Sequence, residues 1–400
     1  MSADGRYVAF ASLARLVPAD TNDRRDIYVL DRVSGSVSIE SLSPDGRALA
    51  HDKEWPRISG DGRFVVYEML QQTTGRLPVR VIALRDRWRG TTRILQRGGE
   101  LPDRNSREPA ISSDGRVVVF SSCATNLGDD TDGNGSVEDV YAFDISTSRF
   151  ERINVGTNGS QPLSGASYGA TVSADGRYVA FTSTSDLDSS ADTSPDRRVS
   201  EFASVYIRDR ETRVTTRASI GRDGRAANGR SYGAAIDGDA RHVAFVSEAT
   251  NLVSGDDNQF PDVFLHDVHS RTTLLISRSA SGGSANGASR SPVIAMNGNY
   301  IAFQSDASDL ACAGECPRGS KDINLVSDVF VFDTRSGTTV RISTGHQPWM
   351  EPSAGPSISG TGAVVAFSSR HPVDANDTAN DFDLFVWMDH TLSLAYGRKG

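Results

Sequence analysis

Apolar residues along this chain come in short alternating runs, and the runs repeat. One phrase joins a turn of the form Ser-x-Asp-Gly-Arg to a brief apolar strand that ends in an aromatic. It reads SADGRYVAF at 2–10, SGDGRFVVY at 59–67, SSDGRVVVF at 112–120 and SADGRYVAF again at 173–181. Looser copies follow at 237–245, 295–303 and 359–367. The closing aromatics are Phe10, Tyr67, Phe120, Phe181, Phe245, Phe303 and Phe367, which lie 53 to 64 residues apart. Alternation of β-branched and aromatic residues at period two predicts half-buried strands. The Asp-Gly pair supplies the positive φ that a tight hairpin needs.

A second phrase keeps step with the first: DIYVLDR from Asp26, DVYAFDI from Asp139, SVYIRDR from Ser204, DVFLHDV from Asp262, DVFVFDT from Asp328 and DLFVWMD from Asp383. The second copy is poorer, VRVIALRDR from Val79. A Gly or Ser/Thr turn and a third strand come next, and a fourth, smaller strand precedes each Asp-Gly turn. Each unit therefore holds four antiparallel strands, a to d. Tandem four-stranded sheets predict an all-β fold, a seven-bladed β-propeller. The units run 1–52, 53–105, 106–166, 167–230, 231–289, 290–352 and 353–400 within a single propeller domain. The chain opens on strand b, so the first blade is expected to lack its innermost strand unless residues upstream supply it.

Composition agrees with this picture. Hydrophobic residues make up 38% and Gly numbers 37, a mixture suited to short strands and many turns. No run approaches the roughly 18 apolar residues of a membrane span. A net charge of −9 opposes nucleic acid and anionic membrane as partners. No signal peptide is legible at the start. Of the three cysteines, Cys123 stands alone. Cys312 and Cys316 are close enough for a small disulfide in an oxidising compartment, or they are two reduced loop thiols.

The pair S-x-D-G-R-Y-V-A-F and D-V-F-V-x-D-R-x-[ST]-G resembles the TolB-like, WD-repeat-like propellers of bacterial envelope proteins. The resemblance covers nearly the whole chain. It departs from TolB in blade number, six there, and in the absence of the N-terminal α/β domain. It implies a periplasmic or extracellular binding protein, and it transfers no catalytic residue.

Topology places the b–c and d–a loops on one face and the tight hairpins on the other. Length and variety collect on the b–c/d–a face, which is the expected binding face for a protein, peptide or glycan. The b–c loops carry oxygen ligands at alternate positions. The third-blade loop is the fullest, with Asp130, Asp132, Asn134, Ser136 and then Glu138 or Asp139. Calcium takes six to eight hard oxygens, so this loop reads either as a calcium site or as ordinary Asx turns. The other acidic loops hold Asp20, Asn22 and Asp26, then Asp256, Asn258 and Asp262, then Asp374, Asn376 and Asp383. They read as structural. Asp31, Asp209, Asp267 and Asp333 read as turn residues after strand c. The d–a loops are Gly/Asn/Ser-rich and read as plain loops.

Strand a should line the central channel with small or apolar residues such as Pro109, Ala110, Gly169, Ala170, Gly233, Ala234, Pro292, Val293, Gly355 and Pro356, leaving Arg57 as the one obvious charge. The seven His are scattered, and no phosphate loop or nucleophile elbow occurs. The expectation is a monomeric, non-catalytic binding or scaffold propeller that requires no cofactor. The alternative is a propeller enzyme such as a polysaccharide lyase or hydrolase, or the gating propeller of a prolyl-oligopeptidase-like peptidase.

Overall fold

A computed structural model describes residues 1–43, 46–72, 77–128, 131–188, 202–311, 326–343, 352–370, 383–388 and 391–396. Every regular element in them is a β-strand. The strands form seven antiparallel sheets, six of four strands and a first of three, arranged as a seven-bladed β-propeller. The chain divides into two compact units, Met1–Ser189 with Tyr206–Thr216 and Ser190–Val205 with Arg217–Gly400. Cys312, Cys316, Asp130, Asp374 and Asn376 lie outside the described residues.

Alternation along the strands builds the core. In blade 2, Val65, Tyr67, Val81 and Ala83 pack with Ile27 and Val29 of blade 1, while Val66, Ile82 and Leu84 pack with Val118, Phe120 and Tyr141 of blade 3. One strand thus serves two interfaces by sending odd and even residues opposite ways. The repeated aromatic stacks on an aromatic of strand c within its own blade. Phe120–Tyr141, Phe181–Tyr206, Phe245–Phe264 and Phe303–Phe330 have centroids 5.8 to 6.2 Å apart.

The Ser-x-Asp-Gly-Arg phrase has a definite physical content. In four blades the Ser hydroxyl donates to the Asp carboxylate at 2.6 Å (Ser2–Asp4, Ser59–Asp61, Ser112–Asp114, Ser173–Asp175). The same hydroxyl accepts the first amide of strand b, from Tyr7, Phe64, Val117 or Tyr178. The Arg reaches the Asp that follows strand c: Arg6–Asp31, Arg63–Asp86 and Arg177–Asp209, each at 2.7 Å. Asp31, Asp209, Asp267 and Asp333 also cap the turns after strand c, accepting backbone amides there. The Gly is doubly required. Gly62 has φ +74°, and a Cβ on it would stand 2.3 Å from the Tyr7 ring of the preceding blade.

Each inner strand carries one irregularity. The six strands a (Lys53–Ile58, Ser106–Ile111, Ser167–Val172, Ser231–Ile236, Ser289–Ile294 and Ser353–Ile358) all shift register between their second and fifth residues. The third residue is left-handed in every case: Trp55, Glu108, Gly169, Gly233, Ser291 and Gly355, with φ from 54° to 66°. This is a β-bulge, the device by which a strand re-aims a side chain.

Candidate binding site

The acidic loop residues are placed by one recurring clasp. The Asp that opens strand c is buried and accepts a hydrogen bond from the end of strand d: Ser41 to Asp26 at 2.5 Å, Asn154 to Asp139 at 2.5 Å, Ser277 to Asp262 at 2.6 Å and Ser343 to Asp328 at 2.6 Å. The same Ser or Asn oxygen accepts the next strand-c amide, from Ile27, Val140, Val263 or Val329. Asp383 is likewise buried at the head of its strand. These residues therefore lock strand c to strand d.

The charge on the clasp is handled differently in each blade. Asp26 meets Lys53 Nζ at 2.6 Å, with both side chains fully buried. Asp328 meets Arg341 at 3.2 Å. In blade 3, Arg152 reaches both Asp139 and Asp132, the latter at 3.3 Å, and Asn134 donates to Asp139 at 3.2 Å. A guanidinium thus fills the space between the two carboxylates of the loop read as a calcium site. Ser136 is exposed. Asp262 bonds only neutral donors, Ser277 and Asn258, and burial pushes it up to about 6. Asp256 beside it is also buried and raised by burial. Asp20 accepts the Tyr28 hydroxyl, and the Asn22 amide donates to Leu49 O at 3.0 Å. Among the described residues no three His, Cys, Asp or Glu side chains converge as a metal would need.

The d–a loops are latched to the b–c loops. Asp103 accepts the Thr125 amide while Asn126 accepts the Asp103 amide. Asn228 and Asn251 repeat the exchange with Thr250, and Asn286 and Asp309 repeat it with Ser308. Ala124 with Leu127, Ala249 with Leu252 and Ala307 with Leu310 bury the first turn of each b–c loop.

The inner strands of blades 2 and 3 hold what the sequence reading missed. Arg57 has company: Glu54, Glu68, Glu108 and Glu138 gather with Arg25, Arg80 and Arg107 at the b–c/d–a end of these blades. Arg25 meets Glu54 at 3.0 Å, Arg80 lies 3.5 Å from both Glu54 and Glu68, and Arg107 lies 3.2 Å from Glu138. Glu68 accepts the strained Glu108 amide at 2.6 Å, and Glu108 accepts the Gly169 amide at 3.1 Å. Each carboxylate thereby holds the bulge of the next blade. Burial raises Glu68 and Glu138, with Glu108 adding to both. Burial lowers Arg57, with Glu108 opposing. Trp55 stands at the bulge beside Glu54, 52% exposed at φ 54°. The one sequence signal was the second position of strand a, which is polar or aromatic in Glu54, Arg107, Tyr168, Tyr232 and Arg290.

No family model matches the chain, and no curated protein matches it. Solved structures do. The β-propeller domain of the Trilobed protease from Pyrococcus furiosus, described as having an open velcro topology, is 13% identical with a TM-score of 0.58, over 99% of this chain and 93% of that one. Acylaminoacyl peptidase of Pyrococcus horikoshii is 13% identical with a TM-score of 0.53, over 98% of this chain. This chain spans 51% of that peptidase. TolB from Acinetobacter baumannii is 14% identical with a TM-score of 0.44, over 96% of this chain and 78% of that one. No helix among the described residues is long and apolar enough to cross a membrane. At these identities the chain shares with the two Pyrococcus proteins a propeller fold, which is the coarser part of the TolB-like expectation.

Proposed function

We propose that this is a non-catalytic binding propeller of the bacterial periplasm or exterior, taking a protein or peptide segment at the inner mouth of blades 2 and 3. One observation carries the reading. The left-handed bulge position costs a non-glycine residue roughly 1–3 kcal/mol, and blades 4, 5 and 7 fill it with Gly. Blade 6 keeps Ser291 there, and blades 2 and 3 keep the large Trp55 and Glu108, Trp55 next in sequence to Glu54 of the charged cluster and Glu108 bonded to Glu68 and Gly169. An exposed Trp next to paired Arg and Glu is the composition of a recognition hot spot. Strain retained at such a place points to function.

The test separates binding from structure. Trp55→Gly relieves the strain, so its melting temperature should hold or rise, whereas a structural role would lower it; Glu108→Gly relieves the same strain but also removes the acceptor of the Gly169 amide, so it should melt lower. A displayed random-peptide library panned on the wild type should yield binders that both variants lose. Binders retained by both would refute the site, and hits confined to a glycan array would move the ligand class to sugars. A second reading is favoured by the raised Glu68 and Glu138, since shifted carboxylates mark acid–base sites. Turnover of a polysaccharide that Glu68→Gln abolishes would establish a propeller enzyme instead.

A further inference from the structure

Two sets of arginines in this chain meet carboxylates in different ways. On the hairpin face Arg6, Arg63 and Arg177 each hold one Asp with two parallel bonds, from Nε at 2.9 to 3.1 Å and from Nη2 at 2.7 Å. That is the bidentate fit of a guanidinium edge to a carboxylate. The arginines at the inner mouth of blades 2 and 3 are engaged more loosely. Arg25 meets Glu54 through Nη1 at 3.0 Å, and Arg80 meets Glu54 and Glu68 through Nη1 at 3.5 Å. Their Nε and Nη2 edges reach no acceptor among the described residues. Arg107 Nε lies 3.2 Å from Glu138 Oε1, yet that buried oxygen receives no hydrogen bond. The pair is a contact of charges, and the Arg107 N–H groups are aimed elsewhere. Exposure divides the same way. The three arginines leave 42 to 44% of their side chains exposed, whereas Glu54, Glu68 and Glu138 leave 31%, 4% and 18%.

We infer that Arg25, Arg80 and Arg107 form a carboxylate-binding group, and that the segment taken at the mouth is an acidic peptide presenting Asp or Glu side chains. This rests on the binding mouth proposed above and names the chemistry of its partner. The chain itself displays the fit. The Nε and Nη2 edge left open in Arg25 and Arg80 is the edge by which Arg6, Arg63 and Arg177 hold Asp31, Asp86 and Asp209. Arg25 and Arg80 bond the two oxygens of one carboxylate, Glu54, so neighbouring side chains of a single short segment can reach both. The glutamates do not cancel this preference. They fix the guanidiniums but are the less exposed partners, and burial favours the neutral form of Glu68 and Glu138. What a ligand meets is therefore mainly positive. Trp55, exposed on the same strand as Glu54, offers a flat apolar surface to an uncharged residue of that segment.

The probe is a fluorescently labelled, end-blocked Gly-Glu-Leu-Glu-Gly peptide, read by polarisation beside its Gln and Lys counterparts. The Glu peptide should bind saturably below roughly millimolar concentration, the Gln peptide about tenfold more weakly and the Lys peptide not at all. Arg80→Lys and Arg107→Lys keep the charge beside Glu68 and Glu138 but lose the planar edge. Each should hold its melting temperature and bind the Glu peptide about fivefold more weakly, while Arg63→Lys on the hairpin face should bind it as the wild type does. Equal binding of the Glu and Gln peptides, preference for the Lys peptide, or no saturable binding of the Glu peptide would each overturn the inference. Polygalacturonate that binds, and that Arg80→Lys weakens, where the Glu peptide does not bind would make the ligand an acidic glycan and overturn it as well. The mouth itself is judged separately. Library binders lost on Trp55→Gly but without an excess of Asp and Glu would keep the mouth and sink the acidic partner. A Glu peptide bound equally by wild type, Trp55→Gly and Arg80→Lys would refute both.

Discussion

Asp262 is the clasp residue whose carboxylate is held by neutral donors, and its replacement by Asn gives a signed prediction. Burial raises it from 3.8 to about 6. A carboxyl whose folded value is raised contributes stability that is fully present below its unfolded value, near pH 4, and is lost as pH rises through about 6. The difference, close to two pH units, corresponds to about 3 kcal/mol of penalty for carrying the ionised form at neutral pH. Asn removes that penalty, but its amide group would face the Asn258 amide that now donates to Asp262 at 2.8 Å. That lost hydrogen bond costs about 1–2 kcal/mol. Asp262→Asn should therefore be more stable than wild type by about 1–2 kcal/mol at pH 8 and less stable by a similar amount at pH 4. Asp256 and Asp309 add to the raised value, so the crossover should shift when Asp256 is also changed to Asn. Urea unfolding followed by circular dichroism at several pH values gives the two curves. A stability difference that does not change between pH 4 and pH 8 would refute the reasoning, because only titration of residue 262 separates the two proteins.

The other predictions test single contacts. Gly62→Ala should destabilise by about 2–4 kcal/mol, since it adds a Cβ 2.3 Å from the Tyr7 ring to an unfavourable φ. Gly90→Ala, with a similar φ of +67° and nothing within 4 Å, should cost only about 1 kcal/mol, and equal losses in chemical denaturation would contradict the packing argument. Lys53→Met should cost about 3–5 kcal/mol by stranding Asp26. Lys53→Met with Asp26→Val should recover most of it, because blade 2 already carries Val81 at the position that Asp26 holds in blade 1. Arg152→Ala should lower stability by about 3–5 kcal/mol and make the melting temperature respond to calcium more than to magnesium. A variant indifferent to both ions would show that Asp132 and Asp139 do not form a cation site even when bare.

What was legible in the chain was whatever the repeat itself specifies. The seven aromatics, the Asp-Gly hairpins and the seven sheets follow from period-two alternation and turn chemistry, both of which act over a few residues. The clasp was half legible. Asp26, Asp139 and Asp262 recur at the right place, but their partners on other strands sit 13 to 27 residues away, so the sequence did not show that Arg152 stands between Asp132 and Asp139. The inner-mouth cluster was invisible for a related reason. Glu54, Glu68, Glu108 and Glu138 occupy different positions of different repeats, and only the stacking of blades 2 and 3 brings them together. Trp55 and Glu108 were hidden further, because local propensity argues against a left-handed Trp or Glu and an inner strand was expected to be small and apolar. A tandem fold makes such departures informative. Six bulges share one backbone, so the cheapest residue for the position is known from Gly169, Gly233 and Gly355. The side chains kept at the same place in blades 2 and 3 measure what the scaffold alone does not require.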